Sequence, residues 1–171
     1  SITLALGQDA TCSISNDDIP PTLNLAKVVI NNNGGSEPAS AWFLSATGPT
    51  ALFGAGPNVS SGVNFEAGSY NLTESGGPTG YSASDWDCIG GTQVNADTIT
   101  LTVGEVATCT ISNDDISPTL TVLKTIINDN GGTITNPKAF GLKVDGGSVL
   151  HGVSNTFDAG NHTVSEDGLP G

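Results

Sequence analysis

The chain contains no arginine and no methionine, only four lysines and two histidines, and few aromatic residues. Against those four cations stand 17 Asp and Glu, giving a formal net charge of −13. Nucleic acids and anionic membrane surfaces are bound through clustered cations, so a chain this acidic is a poor partner for either. No run of about 18 apolar residues is present, so no segment reads as a membrane-spanning helix. There is no initiator Met and no leader, and Ser1 falls in strand-like sequence, so the chain reads as a processed product or a window of something longer. Catalytic signals are also missing. His151 and His162 sit at loop or outward positions, and no Ser-His-Asp set, phosphate loop or zinc motif occurs. Turnover of an external substrate is not expected.

What is abundant is Gly, Ser, Thr, Asn and Asp, which suits short strands and many turns. The decisive feature is internal repetition. Residues 2–21 read ITLALGQDATCSISNDDIPP and residues 99–118 read ITLTVGEVATCTISNDDISP. TLNLAKVVINNNGG (22–35) and TLTVLKTIINDNGG (119–132) follow directly. The offset stays at 97, from Cys12 to Cys109, Asn16 to Asn113 and Lys27 to Lys124. More loosely, Ala41-Trp42-Phe43-Leu44 matches Ala139-Phe140-Gly141-Leu142, and residues 64–80 match 156–171. The expected organisation is therefore an all-β chain of tandem Ig-like β-sandwich modules of about 97 residues. Residues 1–21 are the last strands of a preceding module plus a junction, 22–117 a complete module, and 118–171 the first part of a following one. Residues 1–18 either belong to a longer array or complete a neighbouring copy by strand donation. The array is preferred, because a counterpart of Tyr81–Asp97 would be missing from any exchanged module.

Alternation assigns the faces. Leu23, Leu25 and Lys27 share one face of the first strand, Tyr70, Leu72 and Glu74 another, and Cys109, Ile111 and Asn113 a third on the last strand. Asn-Gly-Gly at 33–35 and 130–132 is turn sequence, and residues 112–118 read as the junction between modules. The anomaly is polar. Lys27, Glu74 and Asn113 each fall in register with residues that should point inward, and Lys124 repeats the feature. A lone buried ion costs several kcal/mol, so something must compensate it.

With those residues in hand, the segment FEAGSYNLTESGGPTGY (65–81) resembles the Cna protein B-type domain. This is the SpaA-like, prealbumin-like repeat of bacterial pilins and surface adhesins. Gly68, Tyr70, Leu72, Glu74, Pro78, Gly80 and Tyr81 carry the likeness. The resemblance implies a prealbumin-like sandwich in which a Lys and an Asn condense into an intramolecular isopeptide bond, assisted by a buried acid. Carried over, Lys27 is the nucleophile, Asn113 the acyl donor and Glu74 the proton shuttle. Lys124 and Glu166 are their counterparts in the following copy, and Asn16 in the preceding one. Burial disfavours both charges, and a neutral amine beside a protonated acid is the reactive arrangement. A buried Lys27–Glu74 ion pair bonded to Asn113, with no covalent link, is the alternative.

The odd count of three Cys follows from the repeat. Cys88 and Cys109 fall in one module and are expected to pair across neighbouring strands, contributing roughly 3 kcal/mol. Two buried thiols are the alternative. The partner of Cys12 lies outside the chain or in another copy. A disulfide implies an oxidising, extracellular setting. No metal or other cofactor is expected, although Asn113-Asp114-Asp115, Asn31-Asn32-Asn33 and Asn128-Asp129-Asn130 could offer oxygens to calcium. Asn58, Asn71 and Asn161 head glycosylation triplets of a kind common by chance. The reading is a structural module of an extracellular fibre, pilus or adhesin stalk, whose partners are neighbouring copies or modules head to tail. The alternatives are a ligand- or carbohydrate-binding adhesin domain using loops such as Ala51–Gly62 and Ser148–Asn155, and a filament assembled by strand exchange.

Overall fold

The structure is a computed structural model that describes residues 1–168. The final Leu-Pro-Gly of the match to residues 64–80, at 169–171, lies outside the described residues. Residues 22–115 form two five-stranded sheets facing each other. One runs in the order β3 (Leu52–Ala55), β2 (Trp42–Thr47), β5 (Gly68–Gly76), β9 (Thr98–Leu101), β8 (Thr92–Asn95). The other runs β4 (Asn58–Ser60), β1 (Thr22–Ile30), β10 (Val106–Asp115), β6 (Tyr81–Ala83), and β7 (Asp87–Ile89) also pairs with β10.

The period of two in the sequence builds the core directly, because alternate residues of a strand face one side of its sheet. Leu23 and Leu25 of β1, and Ala107, Cys109 and Ile111 of β10, meet Leu44, Ala46, Tyr70, Leu72, Ile99 and Leu101 of the facing sheet. Tyr70 is fully buried, stacks on Phe65 with ring centres 4.5 Å apart, and donates its hydroxyl to the Glu66 carbonyl at 2.6 Å. The first and last long strands, β1 and β10, lie side by side and parallel, from Thr22 opposite Val106 to Ile30 opposite Asp114. A parallel pair needs a long crossover, and here everything between the two strands supplies it. The expected disulfide is present: Cys88 of β7 and Cys109 of β10 are directly opposed and bonded.

Residues 1–21 carry no strand and residues 1–20 are exposed, with no described strand placed to pair with them. Two expectations need correction. Residues 51–62 are not a recognition loop but contain β3 and β4, joined through a cis Gly56–Pro57 bond, with Leu52 and Val59 turned into the core. The junction is shorter than residues 112–118, since β10 continues through Asp115.

Beyond it, β11 (Thr119–Thr121) pairs with β14 (Ser154–Thr156), and β12 (Gly141–Val144) lies between β13 (Gly147–Ser148) and β15 (Val164–Asp167). These pairings have the order of β1 with β4 and of β3, β2 and β5. Val122, Leu142 and Val144 form a small core there, with Leu120, Val149 and Phe157 half-buried around it. The core of the 22–115 sandwich should dominate stability. Leu44→Ala is expected to cost about 3 kcal/mol in urea unfolding of the full chain, whereas Val94→Ala on the exposed edge strand β8 should stay within about 0.5 kcal/mol.

Candidate functional site

Three inward positions on three strands converge at one end of the sandwich. Lys27 follows Leu23 and Leu25 along β1, Asn113 follows Cys109 and Ile111 along β10, and Glu74 follows Tyr70 and Leu72 along β5 in the opposite sheet. Adjacency of β1 and β10 sets Val29 opposite Asn113, two residues beyond Lys27. The Lys27 side chain is 0% exposed and that of Glu74 is 11% exposed. Lys27 Nζ lies 2.7 Å from Glu74 Oε2, and the Asn113 Nδ2 amide donates to Glu74 Oε1 at 2.9 Å. One carboxylate thus touches both the amine and the carboxamide.

The contact is a close ion pair enclosed between the sheets, with no other hydrogen-bond partner for Nζ or Oε2 among the described residues. Asn113 Oδ1 is buried and also accepts no hydrogen bond. Unpaired buried polar atoms are costly and uncommon. Desolvation pushes the Lys27 amine below its ordinary value of 10.5, against the opposing pull of the Glu74 contact and charge. A desolvated amine, a primary carboxamide and a bridging acid within one dry pocket form a set competent for transamidation.

Residues that sequence reasoning did not single out complete the enclosure. The Trp42 ring of β2 lies under Lys27, with Nζ 4.9 Å from its centre, and meets Tyr81 edge-to-face at 5.2 Å. This face supports a cation and shuts out water. Gly77 packs so closely on the indole that an added Cβ would sit 2.2 Å from Trp42 Nε1. The signal for Trp42 was an aromatic at the matching positions 42 and 140.

Asp115, two residues past Asn113, closes the end of the site. Its carboxylate accepts N–H bonds from Asn32, Asn33 and Gly35 at 2.6–3.0 Å, and the Asn33 Nδ2 amide donates to it as well at 3.3 Å. Tyr81 Oη donates to Asn31 Oδ1 at 2.6 Å. The Asp115 oxygens considered for calcium are therefore engaged by the chain itself. An added Cβ on Gly35 would fall 2.3 Å from Tyr81 Oη, so only glycine fits. Burial alone would raise the Asp115 carboxyl, but the N–H groups of Gly35, Asn33 and Asn32 outweigh it and hold it below its ordinary 3.8.

The second unit reproduces part of this arrangement. Lys124 Nζ pairs with Glu166 Oε2 at 2.8 Å and lies 4.3 Å from the centre of the Phe140 ring. Asn16 is not brought to them; it sits on the exposed N-terminal segment, as does the free thiol of Cys12. His151 Nδ1 accepts the Lys124 N–H at 2.9 Å, and His162 pairs with Asp145 at 2.6 Å, so neither histidine joins the Lys27 set. Asn58, Asn71 and Asn161 are exposed.

The family model for a prealbumin-like fold domain of the SpaA type matches residues 18–111 and again 115–171. No curated protein and no solved structure matches the chain.

The Asp115 cradle predicts a signed pH response. A carboxyl whose folded pKa is depressed contributes stability that is complete above its unfolded value and is lost as pH falls through the folded one. Thermal unfolding of the full chain should therefore show Asp115-dependent loss of stability below about pH 4. Asp115→Asn should be less stable at neutral pH and should lose that part of the acid response.

Proposed function

The chain belongs to the SpaA-type family of prealbumin-like fold domains, a structural and non-enzymatic family, and from that premise we propose that it is a load-bearing module of an extracellular bacterial fibre, pilus or adhesin stalk. In this reading the sandwich of residues 22–117 is one member of a tandem series, locked by its Cys88–Cys109 disulfide and by an isopeptide bond between Lys27 and Asn113. The observation that carries it is the contact of Glu74 with both Lys27 Nζ and Asn113 Nδ2 inside a water-excluded pocket.

The chemistry is a single-turnover transamidation that needs no oxidant or cofactor. Proton transfer from Lys27 to Glu74 removes both buried charges and frees the amine lone pair. Nζ attacks Cγ of Asn113, the new Nζ–Cγ bond forms, and the Cγ–Nδ2 bond breaks. Glu74 carries a proton from the attacking nitrogen to the departing one, which leaves as ammonia. Nδ2 already faces Glu74, where the leaving group must be protonated. Holding all three groups on rigid strands supplies the proximity that the reaction otherwise lacks.

Disulfides persist in oxidising compartments, which supports an extracellular setting. The family's typical place on bacterial surfaces and in pili supports it as well. Among the described residues no helix is long and apolar enough to cross a membrane. The binding-loop alternative loses its main support, because residues 51–62 are built into the sheets.

Intact mass spectrometry of the full chain tests the bond: the mass should be lower than the disulfide-bonded sequence by one ammonia. Lys27→Ala, Asn113→Ala and Glu74→Ala should each restore it. A wild-type mass with no ammonia lost would leave only an ion pair. Closing the 27-to-113 loop should contribute roughly 4–5 kcal/mol in the chain-entropy view, so Asn113→Ala should lower the unfolding midpoint markedly. Glu74→Ala should cost about 3–5 kcal/mol or more, since it also leaves Lys27 buried without its partner.

A further inference from the structure

Modules joined by a plain tether move independently unless something fixes the joint between them. Here only Ile116, Ser117 and Pro118 separate β10 from β11, and all three are tied down. The Ile116 N–H donates to the Gly80 carbonyl at 2.8 Å, and the Ser117 hydroxyl donates to Asn33 Oδ1 at 2.6 Å, both in the first sandwich. The Pro118 carbonyl accepts the Phe157 N–H of the second unit at 3.0 Å. The proline ring also fixes the backbone φ at the crossing.

The two units touch directly as well. The Ala159 N–H of the second unit donates to the Asn33 carbonyl of the first at 2.7 Å. Gly34, next in the turn, lies hard against the Ala159 backbone. An added Cβ there would fall 2.5 Å from the Ala159 oxygen and 2.6 Å from its nitrogen. Backbone atoms cannot swing aside as the end of a side chain can, so the close approach requires glycine.

Asn33 is the centre of the joint, and its polar groups serve both sides. Its N–H donates to Asp115 Oδ2 at 2.9 Å and its Nδ2 amide to the Asp115 carbonyl at 2.8 Å. Its Oδ1 receives Ser117 and its carbonyl receives Ala159. The contact is therefore bonded to the last residue of β10, at the end of the sandwich that holds Asn113.

We infer that the Asn33-Gly34 turn of the 22–115 sandwich and the 158–160 loop of the 118–168 unit form a fixed joint, so that the two units move as one body. The turn's outer edge is a docking surface, and its occupant is the backbone of the module that follows. Both halves of the joint recur in the other copy. Asn33-Gly34-Gly35 returns as Asn130-Gly131-Gly132, with φ of +89° at Gly34 and +86° at Gly131. Phe157-Asp158-Ala159-Gly160 matches Phe65-Glu66-Ala67-Gly68. On the tandem-series reading proposed above, the joint repeats at each junction, which makes the stalk a stiff rod and not a string of freely turning beads. The joint within this chain stands without that reading.

NMR of the full chain tests it, through residual dipolar couplings in a weakly aligning medium and through amide exchange. Couplings from residues 22–115 and 118–168 should fit one alignment tensor. The Ala159 amide should exchange at least about tenfold more slowly than an open-chain amide of the same sequence. Gly34→Ala should separate the tensors and release the Ala159 amide. Gly80→Ala places alanine at a similar φ of +93° with no atom within 4 Å of its Cβ, and should do neither. Should Gly34→Ala unfold the sandwich, Ala159→Pro in the exposed 158–160 loop removes the donor from the other side. It should separate the tensors while each unit keeps its own spectrum. Two tensors in the wild type, or an Ala159 amide exchanging at the open-chain rate, overturns the joint. So does a shared tensor that Gly34→Ala or Ala159→Pro leaves intact. An absent ammonia loss at Lys27 would not move these readouts, so the joint and the isopeptide bond fail separately.

Discussion

Everything in the sandwich is arranged around one buried contact, the Lys27 amine held between two sheets against the Glu74 carboxylate. An ammonium in that position has lost its hydration, and the ring of Trp42 and one carboxylate oxygen stand in for only part of it. The neighbouring carboxamide oxygen is unsatisfied as well. Such an assembly is suited to covalent condensation, which removes the amine's charge and leaves a single N–H on Nζ. The parallel pairing of β1 and β10 is what makes the arrangement available, because it brings the first and last strands of the fold side by side. The end of the site is fixed by the Asp115 cradle and the close approach of Gly77 to Trp42.

The same geometry defines a mechanical path. β1 starts at Thr22 and β10 ends at Asp115, and because the strands run parallel, tension on the two termini shears one against the other. A link from Lys27 to Asn113 would carry that load from a point close to the entry of the fold to a point close to its exit. The strands between β1 and β10, including β7 with its disulfide-bonded Cys88, would then lie outside the loaded path.

Much of this was legible in the sequence because strand periodicity is a direct record of burial. Alternation from Leu23 through Lys27, Tyr70 through Glu74 and Cys109 through Asn113 named the inward residues, and the three polar side chains on those faces are the ones the fold brings into contact. The 97-residue offset marked which cysteines and lysines were equivalent. What was not legible depended on contacts between distant segments. Trp42 alternates like any core residue, and nothing local says that its ring underlies an amine. Asp115 looked like junction sequence because its N–H partners lie some eighty residues away. The 51–62 segment looked like loop because Gly54, Gly56 and Pro57 interrupt it, yet Leu52 and Val59 anchor its two strands. Residues 1–21 have strand periodicity, but no neighbour among the described residues pairs with them.

The central claim is a change in the bonding of one nitrogen, and that nitrogen can be observed directly. NMR of the full chain labelled with ¹⁵N at lysine and ¹³C at asparagine should show Lys27 Nζ as a secondary amide, carrying one proton and coupled to the ¹³Cγ of Asn113. An ammonium or amine signal for Lys27, with Asn113 retaining its NH₂ pair, would contradict the account.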